Sequence, residues 1–169
     1  MKISQQTYIE TLAAEYKVTW SRSVPLSVTC RLWEFDSDEP DVDKPFRQFV
    51  GSLLWVARLT RPDLLNAVRA VASYCSSPRM VHWLAALDIL AYAYATNSLG
   101  ISFQRGPVEG LHLIAFADAD FASNATDRRS VSGGLVIMCA GGPISCFSRT
   151  QNCVTTSTTQ AEYVLAWLR

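Results

Sequence analysis

Three carboxylates set the chemical question in this sequence. Asp118 and Asp120 stand at the end of the apolar stretch "LHLIAFADAD", and Glu162 lies in the later segment "STTQAEYVLAW". An acid on a strand beside an acid on a helix makes a sensible pair for a hard divalent cation, which prefers oxygen ligands. Two such ions about 4 Å apart can activate a water and stabilise the leaving oxygen in phosphodiester cleavage. If residues 112–120 stay extended, Ile114, Phe116, Asp118 and Asp120 share one face. Ile114 and Phe116 should then face a core, with Asp118 at its margin. A buried, unpaired carboxylate there is costly and needs a donor, a cation or a metal. The competing reading ends the strand at Ala117 and leaves both acids in a turn, helped by Asn124 and Asp127. On the residues alone the turn reading weighs more.

Glu162 is equally ambiguous. Thr159-Gln160-Ala161-Glu162 is one possible capping box, which would use Glu162 on its own backbone. Ser157-Thr158-Thr159-Gln160 is another. With Ser157 as cap, Gln160 does the reciprocal bonding and Glu162 is free to point at the sheet.

Other candidate ligands are weaker. Cys139, Cys146 and Cys153 are evenly spaced, but no close ligand pair or neighbouring histidine accompanies them, which disfavours zinc. His82 and His112 stand apart from other ligand types and read as packing or surface residues. The 169 residues are 49% hydrophobic and 18% charged, enough for one compact domain or two small units. The formal net charge of +0 argues against nucleic-acid binding by overall charge and requires a local patch instead. No apolar run reaches the roughly 18 residues of a membrane span, and "MKISQQTYIETL" lacks a signal-peptide core. The chain is therefore expected to be intracellular, cytoplasmic or nuclear, with reduced cysteines.

The elements that must position the acids follow from periodicity. Tyr8, Ile9, Leu12, Ala13 and Tyr16 make one helical face, with Ser4 as its expected cap. Residues 17–42 show no sustained period, and their acids are expected to be solvated. Phe46, Phe49, Val50, Leu53, Leu54 and Ala57 form the stripe of a second helix capped by Asp43, with Pro45 in its first turn. Thr60 and Asp63 suggest a capping box around Pro62 for a third. "RMVHWLAALDILAYAYATN" fits a fourth. Trp55, Tyr74, Trp83, Tyr92 and Tyr94 could stack nucleic acid, but their helical spacing favours helix–helix core. From Gly100 the period changes: "GLHLIAFAD", "VSGGLVIMC" and "GPISCFSR" read as strands joined by turns, followed by a final helix. Helices, an antiparallel meander and a closing helix make an α+β pattern.

Four ordered segments carry a resemblance. "FRQFVGSLLWVARLTRPDLLNAV", "SSPRMVHWLAALDILAYA", "FADADFASNATDRRSVSGGLVIM" and "GGPISCFSRTQNCVTTSTTQAEYVLA" resemble the C-terminal part of the Pol polyprotein of copia-type LTR retrotransposons. "ISQQTYIETLAAEY" is similar to the segment that follows the reverse-transcriptase core. The resemblance covers nearly the whole chain. It implies a helical connection over residues 1–99 and part of an RNase H-like domain over residues 100–169. Such a domain cleaves the RNA strand of RNA–DNA hybrids with two divalent metals, normally magnesium. The family's first motif acid matches Asp118 and the acid of its helix motif matches Glu162; both are metal-binding catalytic carboxylates there. Asp120 matches an acid not assigned to metal. The resemblance thus reverses the turn reading of Asp118 and supports Ser157 as the cap.

The sequence departs from that pattern in several places. Gln160 replaces a Glu, Phe121 a Trp and Gly134 a Tyr, and Cys146-Phe147 stands where Trp-Lys is usual. Arg128, Arg129 and Arg149 remain as candidate nucleic-acid contacts, weighed equally against ordinary surface charge. Two further acids expected on later elements find no counterpart within the 169 residues, nor do the polymerase acids expected upstream. Half a carboxylate cluster is expected to bind Mg2+ weakly or not at all and to give little or no cleavage. The sheet is expected to keep an open edge that invites self-association. A non-catalytic interaction module and a nucleic-acid-binding module, both retroelement-derived, are the alternatives, so whether the chain is an enzyme stays open.

Overall fold

The computed structural model describes residues 1–27, 29–36, 38–104, 112–124, 127–138 and 141–167. The chain divides into two compact units, Lys2–Ile101 and Ser102–Arg169, with Met1 joining the second. The class is α+β, as the change of period predicts.

The first unit is helical. Helix α1 (Gln6–Glu15) buries Ile9, Leu12 and Ala13. Gln5 takes the cap position without a side-chain bond, so Ser4 does not cap it. The helix stops where Lys17 adopts a φ of +55°. There the amides of Lys17 and Val18 turn back onto the carbonyls of Ala14 and Ala13, closing the helix as a Schellman motif with lysine in the usual glycine place. Helix α2 (Phe46–Leu59) buries Phe46, Phe49, Val50, Leu53, Val56 and Ala57. Pro45 stands at its cap, so Asp43 lies outside. A 3-10 turn (Pro62–Leu64) leads into α3 (Leu65–Ala72).

The expected Thr60–Asp63 box is absent because both side chains have stronger partners. Thr60 donates to Gln5 Oε1 at 2.8 Å, and Asp63 accepts from Arg61. Helix α4 (Met80–Ala95) is apolar nearly all round and buries eight residues, which makes it the centre of this unit. Trp83 on α4 packs against Tyr16 and Phe49, as a core aromatic should. Trp55 and Tyr94, by contrast, are 56% and 39% exposed, so the aromatic set divides between core and surface. The acids before α2, though open to solvent, are not all without partners. Glu39 Oε1 accepts the Met80 amide at the start of α4, and Asp41 accepts from Ser77 and pairs with Arg79, anions placed where the α4 dipole favours them. A ribbon of β1 (Lys2–Ile3) with β2 (Ile101–Ser102) ties the start of the unit to its end.

The second unit is a meander of β3 (Leu113–Asp120), β4 (Val131–Met138) and β5 (Pro143–Thr150), followed by α5 (Thr158–Ala166). All pairings are antiparallel in the order β3-β4-β5, with a bulge between Val136 and Ile137. Among the described residues, strand β3 therefore lies at an edge of the sheet. Helix α5 turns Ala161 and Leu165 inward. Of the evenly spaced cysteines, Cys139 lies outside the described residues.

Candidate functional site

The strand does not end at Ala117. Pairing with β4 runs unbroken from Leu113 opposite Met138 to Asp120 opposite Val131. Asp118 is therefore held by a ladder, in register with Gly133, and shares a face with Ile114, Phe116 and Asp120. Gly133 has no side chain to shade the carboxylate, and Phe116, Asp118, Gly133 and Leu135 line an open depression. The expected core on this face is not there: Ile114 and Phe116 are 54% and 55% exposed. Alternation sets which way these side chains point, but burial needs a layer packed over that face.

Helix α5 settles the capping question. Ser157 is the cap, and its hydroxyl accepts the Gln160 amide at 3.2 Å. Gln160 Oε1 returns to the Thr156 amide and hydroxyl, one residue earlier than a capping box predicts. Glu162 is thereby released from capping. It crosses to the strand, where its Oε1 accepts the backbone N–H of Ala119 at 3.1 Å. The helix acid thus docks one residue beyond Asp118.

A buried polar network sets that approach, and sequence reasoning missed it. Gln151 is 1% exposed and its Nε2 donates both to Ser132 Oγ and to the Ala161 carbonyl, each at 2.9 Å. Ser130, also buried, accepts the Ala122 amide and bonds Thr155 Oγ1. The Gln151 amide donates to the Ser130 carbonyl. Strand β4, the end of β5 and helix α5 are thus clipped together beside the acids. In the sequence these residues look like ordinary polar positions at strand ends. Only their burial marks them, and burial of a polar group demands such partners.

The arginines are placed differently. Arg128 and Arg129 are exposed in the loop between β3 and β4, and Arg128 adopts a φ of +58°. Arg129 pairs with Asp127 at 3.5 Å and its amide bonds the same side chain. Arg149 is exposed on β5 in register with Ser132, which is itself in register with Ala119. By alternation its side chain leaves the sheet on the face opposite Asp118.

Two carboxylates suit a hard cation by chemistry. Among the described residues no group of three or more His, Cys, Asp or Glu could hold a metal ion. His82 is buried in the helical unit and bonded at both ring nitrogens, to the Arg79 amide and the Leu32 carbonyl. No disulfide joins the described cysteines. Among the described residues, no helix is long and apolar enough to cross a membrane.

Sequence relatives identify the class of protein, retroelement Pol sequences. The chain is 33% identical over 97% of its length to the retrovirus-related Pol polyprotein from transposon TNT 1-94 of Nicotiana tabacum. It is 33% identical over 96% of its length to that from transposon RE2 of Arabidopsis thaliana. A third relative, the secreted RxLR effector protein 161 of Plasmopara viticola, is 35% identical over 71% of this chain and 82% of its own length. The chain belongs to the copia-type retrotransposon Pol family. It spans 13% and 11% of the tobacco and Arabidopsis polyproteins. No family model matches it, and neither does any solved structure.

Proposed function

We propose that this chain is the stretch of a copia-type Pol protein that links polymerase to nuclease. Residues 1–99 form the connection-like part and residues 100–169 the opening part of an RNase H-like domain. The lineage role is cleavage of the RNA strand of RNA–DNA hybrids during reverse transcription, and the hybrid is the partner. One observation carries this reading: Glu162, freed by the Ser157 cap, reaches the strand backbone next to Asp118. Asp118 and the second carboxylate oxygen of Glu162 are the groups that would face magnesium. Two carboxylates leave most of the coordination shell to water, so the 169-residue chain binds the ion weakly or not at all. It accordingly has little or no hydrolytic activity by itself. Arg128, Arg129 and Arg149 are the candidate phosphate contacts, the first two from the loop that follows the strand acids.

Manganese titration followed by NMR tests the acid pair without needing turnover. Selective line broadening is expected at residues 118–120 and 162, lost in Asp118→Asn. Uniform or absent broadening overturns the pair as a cation site. In parallel, a labelled RNA–DNA hybrid should stay intact with magnesium, as in the chelated control. Strong cleavage that Asp118→Asn abolishes would overturn the inactivity while keeping the acids.

A second reading, a retroelement-derived module that binds without catalysis, is favoured by the open apolar strand β3. Hybrid binding that falls steeply with salt would support its nucleic-acid form.

A further inference from the structure

Residues 29–36 form no helix or strand, and they meet α4 at the buried side chain of His82. His82 Nε2 donates to the Leu32 carbonyl at 2.9 Å. The Phe35 ring stands edge-on to the imidazole with centroids 5.3 Å apart, and Tyr74 stacks on it at 4.0 Å. His82 Nδ1 accepts the Arg79 amide at 2.8 Å, where α4 starts. One ring thus caps the helix with one nitrogen and holds the loop with the other.

We propose that residues 29–36 are a strap that His82 latches onto α4, and that acid opens this strap while the helices stay folded. The inference does not rest on the nuclease reading. A second proton on the imidazole can go only to Nδ1, because Nε2 already carries the one given to Leu32. Nδ1 then becomes a donor aimed at the Arg79 N–H, itself a donor. The residue is 0% exposed, so water is not at hand to accept the new N–H. The imidazolium has to leave its place. As it goes, the Leu32 carbonyl loses a donor and Phe35 a ring partner.

Arg79, Glu39 and the stacked Tyr74 are the charged or titratable groups around the ring. Burial opposes the added charge most; the Leu32 carbonyl favours it, Arg79 opposes it and Glu39 favours it. The latched ring therefore takes its proton below the ordinary 6.5, and the released ring near it. Latching is at full strength above pH 6.5 and weakens as the pH drops through the lower, latched value. Both flanks of the strap are tied by other contacts. On one side Trp20 and Arg22 hold Asp88 of α4. On the other, Asp41 accepts from Ser77 and pairs with Arg79, and the Val42 amide donates to the Pro78 carbonyl. Ser77 and Arg79 keep the Asp41 carboxyl below its ordinary range, so this tie outlasts the latch in acid. The stretch between the ties is the part able to lift.

NMR of the isotope-labelled 169-residue chain from about pH 7.5 to about 5.5 tests the proposal. After correction for intrinsic exchange, the Arg79 amide should lose protection by about tenfold per pH unit below the ordinary histidine value. The Val42 amide and α4 beyond its first turn should keep theirs. The His82 ring and the amide shifts of residues 32–35 should follow one titration curve. His82→Gln has no such proton to bind and should show no such pH dependence; where that variant does not fold, the shared curve of the parent chain decides. An Arg79 amide that stays protected overturns the proposal. So does simultaneous loss at Val42 and along α4, which is global unfolding, as do separate curves for ring and loop, or a glutamine variant that opens as the parent does.

Discussion

Phe147 lies across Gly134. The two residues are paired between β5 and β4, and a Cβ placed on Gly134 would collide with the Phe147 ring. Both positions depart from the Pol pattern, which has Tyr at 134 and Lys at 147. The departures are complementary in space: the ring missing from β4 is supplied by β5, an aromatic laid over a strand glycine. Gly134→Ala should therefore lower stability by about 1 kcal/mol, the cost of moving a ring in a close-packed contact. In Phe147→Ala the same glycine substitution should cost nothing, because the space is open. Urea unfolding of the four chains of this cycle measures the coupling, and additive effects would mean that the ring does not fill the glycine's place.

Arg61 closes the end of α4. It is 1% exposed, its NH1 donates to the Thr96 carbonyl at 3.0 Å, and its NH2 holds Asp63 at 2.8 Å and Thr96 Oγ1 at 2.7 Å. Its guanidinium also sits 5.4 Å from the Tyr92 ring centroid. Removing it takes a buried donor from Asp63, Thr96 Oγ1 and the carbonyls of Ala93 and Thr96, the last of which keeps only the Leu99 amide. Arg61→Ala should cost about 3 kcal/mol, at the upper end for orphaned buried polar groups. Arg61→Lys should recover little, since an ammonium cannot reproduce the planar fork. Thermal unfolding of the two variants checks this, and a lysine variant near parental stability would contradict it.

His82 makes the helical unit sensitive to acid. Burial holds its pKa below the ordinary 6.5, reinforced by Arg79, while the Leu32 carbonyl and Glu39 pull the other way. Its Nδ1 accepts the Arg79 amide at 2.8 Å, so the folded ring is neutral and its Nε2 donates to Leu32. The unfolded chain binds this proton more readily. His82's contribution to stability is thus complete above pH 6.5 and is lost as pH falls from there through the lower folded value. The urea midpoint of the parent chain should fall as the pH is lowered below 6.5, and that of His82→Gln should fall less. Equal slopes would assign the loss to other groups.

The parts legible in the sequence are those set by local period. The helical stripes of α1, α2 and α4 and the three strands follow from spacing, and the structure has them; spacing allows two caps for α5, of which the resemblance favours Ser157, the one the structure shows. Caps were misplaced where a distant side chain competes. Asp63 serves Arg61, Thr60 serves Gln5, and Ser4 caps nothing. Ile114 and Phe116 were expected inside because alternation indicates a face without indicating whether anything covers it. The network of Ser130, Ser132, Gln151 and Thr155 was invisible because its members meet only in the folded unit. The acids themselves needed the resemblance, since on residues alone a turn explained Asp118 more simply.

The clip made by Gln151 has a consequence for how this unit can change. It seats α5 on the sheet through an amide, a hydroxyl and a main-chain oxygen, none of them belonging to Asp118 or Glu162. The clip therefore holds α5 on the sheet by atoms other than those of the Glu162–Ala119 contact. A chain that loses both acids is therefore expected to build the same three strands and helix.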